Sequence, residues 1–292
     1  MIDQLKRITD NIHLVTGKNN GKFPFSHSIL IFNNSEETIL IDTGCGIENL
    51  QKLKGKYNIY RIINSHTHPD HSAGNWIFKN NVESIEVPIQ GFNTSGSILA
   101  LSKRFTEPGE IANYWKNHVP KMMGMKDCKP TQSFDDKSEF DFGDVKLLPI
   151  HTPGHTIDHY CFYEPNDKIL FSFDIDLTSF GPWYGHRESS ISQFKDSITK
   201  LKELDIKVLV SSHKGIIIKD IHKQLELFSS KFDTRTKKIR DLLGAGIVTL
   251  DQLVEKKPIY GEFPYAEPLL RYWETQMIKK HLAKIEQHLK DV

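Results

Sequence analysis

The sequence predicts a mixed α/β fold with a C-terminal helical appendage. Short runs that read as β-strands recur between Ile8 and Ser211, and several of them lead directly into His or Asp. From about residue 220 the strand pattern gives way to apolar residues at helical spacing. These observations predict a strand-rich domain at 1–219, with a helical insertion at about 91–133, and a helical region at 220–292.

The composition is that of an ordinary globular protein and favours no highly charged partner. Hydrophobic residues make up 38% and charged residues 26% of the chain, and the formal net charge is +1. This charge gives no overall field that would favour nucleic acid or an anionic membrane. The three cysteines are far apart and do not suggest a disulfide framework. The absence of a signal-peptide pattern and of any run near the roughly 18 apolar residues of a membrane span predicts a cytoplasmic protein with no membrane partner.

The first half of the chain alternates predicted strands with short helices. Five strands are predicted, of which the second and third form a hairpin: 8–15, 27–32, 38–41, 60–63 and 84–87. Helices are predicted at 47–54 and 72–78. Residues 91–133 show helical periodicity that Pro108, Pro120 and Pro130 interrupt. We expect them to form a helical insertion or lid between two strand-rich halves.

The second half continues with strands and then becomes helical. Five more strands are predicted: 138–142, 145–150, 158–163, 168–173 and 208–211. An amphipathic helix is predicted at 190–203. Beyond residue 220, apolar stripes at 221–228 and 239–243 predict two helices, a capping box at Thr249 starts a third, and a last helix is predicted at 268–289. We expect this region to serve packing or homodimer formation.

The hexapeptide His66-Thr67-His68-Pro69-Asp70-His71 predicts a metal site. Imidazole nitrogens and carboxylate oxygens are the donors that zinc and similar divalent metals prefer. Side chains two apart in an extended chain face the same way, so His66 and His68 leave the preceding strand together. Pro69 ends the strand, and the chain then presents Asp70 and His71 from another direction.

Four further predicted strands also lead into a polar donor. In a sheet-based fold the loops after strand ends converge on ligands, so we expect these side chains near the hexapeptide. The whole set offers enough donors for two metals, each with three or four protein ligands and room for water. The four residues are Asp42, His155, Asp174 and His213.

These motifs, in this order, resemble the metallo-β-lactamase superfamily. Besides the hexapeptide, the matching segments are Ile-Asp-Thr-Gly at Asp42, Thr-Pro-Gly-His-Thr at His155, Leu-Phe-Ser-Phe before Asp174 and Ser-Ser-His-Lys-Gly at His213. The resemblance covers residues 8–219 and implies a four-layer αββα sandwich with a dinuclear site at one edge between the sheets. The C-terminal helical block is similar to that of glyoxalase II-like and β-lactamase-like hydrolases.

The resemblance also implies a role for each donor. It implies that His66, His68 and His155 bind one metal, that Asp70, His71 and His213 bind the second, and that Asp174 bridges the two. Asp42 would orient ligands through hydrogen bonds. Phe173 departs from the family, which often has Gly before the bridging Asp, and we expect its side chain to narrow the site without displacing Asp174.

The implied chemistry is that of a metal-dependent hydrolase. A water that bridges two cations loses a proton near neutral pH and attacks an ester-type bond as hydroxide, while the cations stabilise the oxyanion. Asp70 would take up a proton during turnover. The expected cofactors are two zinc ions, although iron and manganese accept the same donors. The expected partner is a small-molecule acyl substrate, such as a thioester or a lactone, rather than nucleic acid.

Substrate contacts are expected in the loop that follows Asp174 and in the insertion. Trp183, Tyr184 and His186 are the candidates in that loop, and Tyr184 is a candidate donor of a hydrogen bond to an oxyanion. Trp115 and the methionines of the insertion would form the other wall of the pocket.

Three alternatives stay open at this stage. An RNA phosphodiesterase of the same fold would need a basic groove, which the near-neutral charge argues against. A mononuclear iron persulfide dioxygenase uses fewer ligands, so His71 and His213 favour the dinuclear hydrolases. A non-enzymatic, metal-stabilised binding protein would need a closed ligand set with no open coordination position.

Overall fold

Two β-sheets lie at the centre of the structure, a computed structural model that describes residues 5–33 and 37–290. Within these ranges the first sheet has seven strands, which lie side by side in chain order. Its first four strands are antiparallel neighbours, and the fourth to the seventh run parallel. The strands are β1 (Leu5–Arg7), β2 (Ile12–Val15), β3 (Ser28–Phe32), β4 (Glu37–Ile41), β5 (Asn58–Ile63), β6 (Ser84–Pro88) and β7 (Gln132–Phe134).

The second sheet has six strands in the described part of the chain. They are β8 (Phe140–Asp141), β9 (Lys146–His151), β10 (Tyr160–Glu164), β11 (Ile169–Phe173), β12 (Val208–Ser211) and β13 (Gly215–Ile217). Their spatial order is β13-β12-β11-β10-β9-β8. Only β11 and β12 pair in parallel among these described strands, because α6 and its connecting loops lie between them in the chain.

The helices lie between and after these strands. The described ones are α1 (Ile47–Lys56), α2 (Pro69–Ser72), α3 (Phe92–Ser95), α4 (Ile98–Phe105), α5 (Glu110–Met123), α6 (Ile191–Lys202), α7 (Ile221–Gly244), α8 (Leu250–Glu255) and α9 (Glu267–Lys290). None of them combines the length and the apolar character that crossing a membrane requires.

Alternating side chains give the two sheets their inner and outer faces. Ile29 and Ile31 of β3 pack against Phe162 and Phe171 of the second sheet in a core between the sheets. Leu30 points outward and packs with α1. On the far side, α6 and α7 cover the outer face of the second sheet. The layers are therefore helix, sheet, sheet and helix, which confirms the predicted four-layer sandwich with C-terminal helices.

Some predicted elements differ in the structure. The segment 8–15, predicted as a first strand with a short turn, begins with that turn, because the Ile8 N–H donates to the Ile12 carbonyl between β1 and β2. Strand β13 was not predicted. Helix α7 runs through 24 residues where two helices were expected, because Phe232 and Arg235 keep its buried face continuous. The capping box at Thr249 is present. The tip of the predicted hairpin, residues 34–36, lies outside the described residues.

Candidate metal centre and adjoining cavity

The expected donors meet at one edge of the two sheets. Asp42 directly follows β4, and Asp174 directly follows β11. His66 and His68 lie after β5, His155 in the turn after β9, and His213 after β12. Because β4 and β5 are parallel neighbours, as are β11 and β12, the C-terminal ends of each pair open on the same side. Helix α2, which directly follows His68, supplies Asp70 and His71.

The first group of donors consists of His66, His68, His155 and Asp174, whose ligand atoms all lie within 4.8 Å of one another. The Nε2 atom of His155 is 2.9 Å from His68 Nδ1 and 3.0 Å from Asp174 Oδ2. His66 Nε2 lies 3.8 Å from the same carboxylate oxygen. All four side chains are buried. Three imidazoles and one carboxylate oxygen therefore surround one point.

The second group consists of Asp70, His71, His213 and again Asp174, within the same 4.8 Å limit. Asp174 Oδ1 is 2.9 Å from His71 Nε2 and 3.4 Å from His213 Nε2. His213 Nε2 is also 3.7 Å from Asp70 Oδ2. The two oxygens of Asp174 thus face different groups, as a bridging carboxylate requires.

The donor atoms of this site fit a cation. Buried polar atoms in proteins nearly always have a hydrogen-bond partner. His66 Nε2, His71 Nε2 and Asp174 Oδ1 are buried without one. The 2.9 Å contact between the last two does not have hydrogen-bond geometry. Unpaired lone pairs that converge in this way are satisfied when a divalent metal is bound.

The outer nitrogens of three ligand candidates fix their orientation. His71 Nδ1 lies 2.7 Å from Asp42 Oδ2, His155 Nδ1 is 2.9 Å from the Trp183 carbonyl, and His213 Nδ1 is 2.7 Å from the Gly21 carbonyl. Each Nδ1–H therefore donates outward, which leaves the Nε2 lone pair for the site. Asp42 also accepts hydrogen bonds from the Ser65 backbone and hydroxyl, both at 2.8 Å.

Burial and the shared carboxylate set the charges of the site. Burial, together with the neighbouring imidazoles, lowers the pKa of His66 and of His68 well below the usual value. Burial disfavours the charged form of His71 and His213 as well, but Asp174 raises the pKa of both, that of His213 to about 9. In the absence of metal, the second group therefore holds protons on His71 and His213, and metal binding there would release them.

Close backbone packing places the hexapeptide against the loop after β4. A Cβ atom at Gly44 would lie 1.5 Å from the Asp70 carbonyl oxygen, so no other residue fits at this position without movement. The Ser26 hydroxyl donates to the same carbonyl at 2.6 Å. This close contact explains why the Ile-Asp-Thr-Gly segment has glycine at position 44.

Arg104 of α4, whose side chain is only 8% exposed, is a residue that the sequence reasoning missed. Its guanidinium donates to Asp158 and to Glu188, with shortest distances of 2.7 Å to each carboxylate. It also donates to the Thr67 hydroxyl at 2.8 Å, between His66 and His68 in the chain. Arg104 thereby connects the insertion to the hexapeptide through hydrogen bonds. Nothing local in the sequence signals contacts that span 37 to 84 residues.

His159 is a second residue that was missed. It is fully buried behind His66, with ring centroids 5.1 Å apart. Its Nε2 accepts a hydrogen bond from the Asp174 backbone N–H at 3.3 Å. His159 therefore supports the backbone of Asp174 from outside the donor set.

A cavity of about 690 Å³ opens beside the donors. His68, His155, Asp174 and His213 form part of its wall. Most of the remaining wall is apolar, and it is supplied by α5, by the loop after β11 and by the C-terminal region. The site therefore combines metal-ligand chemistry with a large apolar space.

The structure places two of the three predicted loop contacts at this cavity. Trp183 and His186 line it. The expectation for Tyr184 is corrected, because its side chain is fully buried elsewhere. Its hydroxyl lies 2.8 Å from His281 Nε2, and Arg235 donates to it at 3.2 Å. Tyr184 thus fixes the loop to the C-terminal helices and offers no donor to an oxyanion.

Phe173 does not narrow the site. Its backbone has φ +46°, in the left-handed region that glycine adopts freely, which explains why glycine suits this position. A register shift in the pairing of β11 with β12 accompanies this conformation. The side chain points into the core between the sheets, where it packs edge-on against Phe162.

Comparisons with known proteins identify the family of the chain. The family model described as the metallo-beta-lactamase superfamily matches residues 21–213, more than half of the chain. The chain is 24% identical to the atrochrysone carboxyl ACP thioesterase dmxR1 of Cryptosporiopsis sp. (strain 8999), over 87% of this chain and 73% of that protein. It is 27% identical to the human acyl-coenzyme A thioesterase MBLAC2, over 61% of this chain and 67% of that protein.

The fold has a close match among solved structures. The metallo-beta-lactamase family protein TTHA1429 from Thermus thermophilus superposes with a TM-score of 0.72, at 17% identity, over 97% of this chain and 95% of that one. This match includes the C-terminal helices and concerns the fold alone. The chain covers 47% of the length of one curated relative that it matches and 88% of another.

Proposed function

The chain belongs to the metallo-β-lactamase superfamily and is a hydrolase of that fold, and on this premise we propose that it hydrolyses acyl thioesters with two bound divalent cations. The observation that carries the proposal is an apolar cavity that opens directly on a double set of metal donors. Two relatives named as thioesterases, one for an acyl carrier protein and one for acyl-coenzyme A, support the choice of bond.

The proposed ligand assignment follows the two donor groups. His66, His68 and His155 would hold one cation and Asp70, His71 and His213 the other, with Asp174 shared between the two donor groups. We propose zinc for both positions because the donors are mainly imidazoles. Bound cations would supply a Lewis acid for the thioester carbonyl and would make a bound water acidic near neutral pH.

The protein's own groups position the reactants and move one proton. Asp70 lines the cavity beside the other donors. Its carboxylate takes the proton that the attacking water loses, and that proton leaves with the thiolate as the C–S bond breaks. His186 donates its Nδ1–H to the Phe105 carbonyl at 3.1 Å, so its Nε2 is left as a hydrogen-bond acceptor for the substrate.

We propose that residues 1–219 form the catalytic domain and that residues 220–292 complete it. Tyr260, Leu270 and Trp273 of the C-terminal region line the cavity beside the donors. A region added only for dimer formation has no need to reach the site. The mostly apolar wall also argues against an RNA substrate, whose phosphates need cationic contacts.

The test is thiol release from thioesters by protein of known metal content. We expect turnover of acyl-coenzyme A, loss of turnover on chelation and recovery on adding zinc. His68→Ala and Asp174→Ala should each abolish turnover and lower the metal content below two per chain, measured by plasma spectrometry. His118→Ala, which removes an exposed histidine of α5, is the matched control and should change neither quantity. Thiol release that survives both substitutions would refute the proposal.

A further inference from the structure

We propose that the cavity is a subsite for a long or bulky apolar acyl group, so that the preferred substrates carry such a group rather than a small one. This inference rests on the proposed thioesterase function, because the acyl carbonyl must sit at the donor cluster. It concerns the part of the cavity that lies between the insertion and the C-terminal region. The proposal narrows the expected small-molecule acyl substrate to one whose acyl group is long or bulky and apolar.

One wall of the subsite is a single face of α5. Trp115, Val119 and Met123 are spaced four residues apart, so their side chains lie one above another along the helix. All three are buried in the folded protein and line the cavity. The sequence reasoning placed Trp115 and the methionines at a pocket wall, and the helix spacing adds Val119 between them.

The opposite wall comes from the end of the chain. Leu270 and Trp273 lie three residues apart on α9, and Tyr260 precedes that helix. Helix α9 packs against α5, so two segments far apart in the sequence enclose one apolar space. Glu274 accepts hydrogen bonds from the backbone N–H groups of Ile259 and Tyr260 at 2.9 and 3.0 Å, which fixes Tyr260 in the wall.

A row of aromatic rings leads from the donors into this space. Trp183 lies beside the rings of His68 and His155, with centroids 5.8 and 5.6 Å apart. Trp273 follows at 5.3 Å from Trp183, and Phe23 at 6.1 Å from Trp273. The Trp183 indole N–H is already bound to the Tyr260 hydroxyl at 2.7 Å. Trp183 therefore offers the substrate its apolar ring, along which an acyl chain can lie.

The size of the cavity decides between small and large acyl groups. Its volume of about 690 Å³ falls in the range of pockets that enclose drug-sized ligands. An acetyl group would leave most of the apolar wall in contact with water. Each further methylene that enters removes apolar surface from water, which is worth about a fourfold gain in binding.

The first arm of the experiment measures hydrolysis of N-acetylcysteamine thioesters that differ only in the acyl group. We expect kcat/KM to rise by about tenfold or more from acetyl through hexanoyl to decanoyl. Leu270→Trp, which fills the subsite from α9, should lower the decanoyl value by about tenfold more than it lowers the acetyl value. Val119→Phe, which fills it from α5, should act in the same way. Leu227→Trp on the exposed side of α7 is the matched control and should change neither value.

The second arm measures binding without chemistry, by calorimetric titration with S-ethyl and S-decyl thioethers of N-acetylcysteamine. We expect tighter binding of the decyl compound to the wild type and loss of that advantage in Leu270→Trp. Equal binding of both compounds would overturn the subsite, even if thioesters are hydrolysed. Chain-length-dependent binding without hydrolysis of any thioester would leave the subsite standing and refute the proposed function.

Discussion

Asp174 shows at the scale of one residue how the site is built. Its two oxygens serve two groups of donors, and its backbone N–H is held by His159. The residue before it, Phe173, adopts a left-handed conformation with its ring in the core. The turn that presents the carboxylate therefore depends on a strained residue, and core packing holds that residue in place.

This arrangement gives a prediction for Phe173→Gly. Glycine would relieve a backbone strain of about 1 to 3 kcal/mol. Loss of the buried ring would cost about 3 to 5 kcal/mol. We therefore expect a net loss of about 2 kcal/mol in the free energy of unfolding, measured by urea denaturation of the metal-loaded protein. Lys168→Gly is the matched control, because Lys168 also has a positive φ of 58° but only a surface ion pair with Asp205. Stabilisation by Phe173→Gly would contradict this balance.

At the residue scale, the sequence predicted the candidate donors and the supporting Asp42, but not the supports that Arg104 and His159 provide. His66 and His68 were predictable because the two-residue repeat of a strand fixes their direction. Arg104 was not, because its carboxylate partners lie 54 and 84 residues away in the chain. Tyr184 was misplaced because adjacent residues of the loop face opposite ways: Trp183 lines the cavity, whereas Tyr184 points into the core.

At the scale of elements, the C-terminal helices hold the loop that carries Trp183. Arg235 of α7 donates to the carbonyls of Pro182 and Phe180 at 2.5 and 2.6 Å. Lys280 of α9 donates to the His186 carbonyl at 2.7 Å. The same loop offers the Trp183 carbonyl to His155 Nδ1. Helices that lie outside the donor set thus control the direction of one of its imidazoles.

We therefore predict an effect of Arg235→Met on metal affinity. The loop would lose three hydrogen bonds, those to the Phe180 and Pro182 carbonyls and to the Tyr184 hydroxyl, and the Trp183 carbonyl would no longer hold His155 in one orientation. Loss of such support typically lowers metal affinity by about 10- to 100-fold. The measurement is the chelator concentration that removes half of the metal. Lys237→Met, at an exposed position of the same helix, should leave it unchanged. Equal metal retention in the two variants would show that Arg235 has no such role.

The elements themselves were mostly predictable, and the exceptions have physical reasons. The long α7 was divided in the prediction because its middle turns carry few apolar residues. Arg235 fills the buried face there by binding loop carbonyls and lying over the rings of Phe180 and Tyr184. Strand β13 begins at Gly215, which has φ +82°, and its three residues are too few for an alternating pattern to identify it.

At the scale of the whole molecule, both sheets contribute donors to the same two groups, so bound cations would join the halves of the sandwich. Any species that binds the folded state alone raises its stability. We predict that chelation lowers the melting temperature by about 5 °C or more, measured by scanning calorimetry. Asp174→Ala should show a smaller response to the chelator than the wild type. The same melting temperature for stripped and loaded wild type would contradict this link.

The separation of α5 and α9 from the strand ends has a consequence for how such a protein can diverge. The donors stand on loops that the sheets fix, whereas Trp115, Val119, Leu270 and Trp273 stand on two helices. A lineage can therefore exchange side chains along those helix faces and acquire a different acyl preference while it inherits the same cation chemistry. New substrate preferences would then arise by substitutions at the cavity wall, while the donor residues at the edge of the sheets stay unchanged.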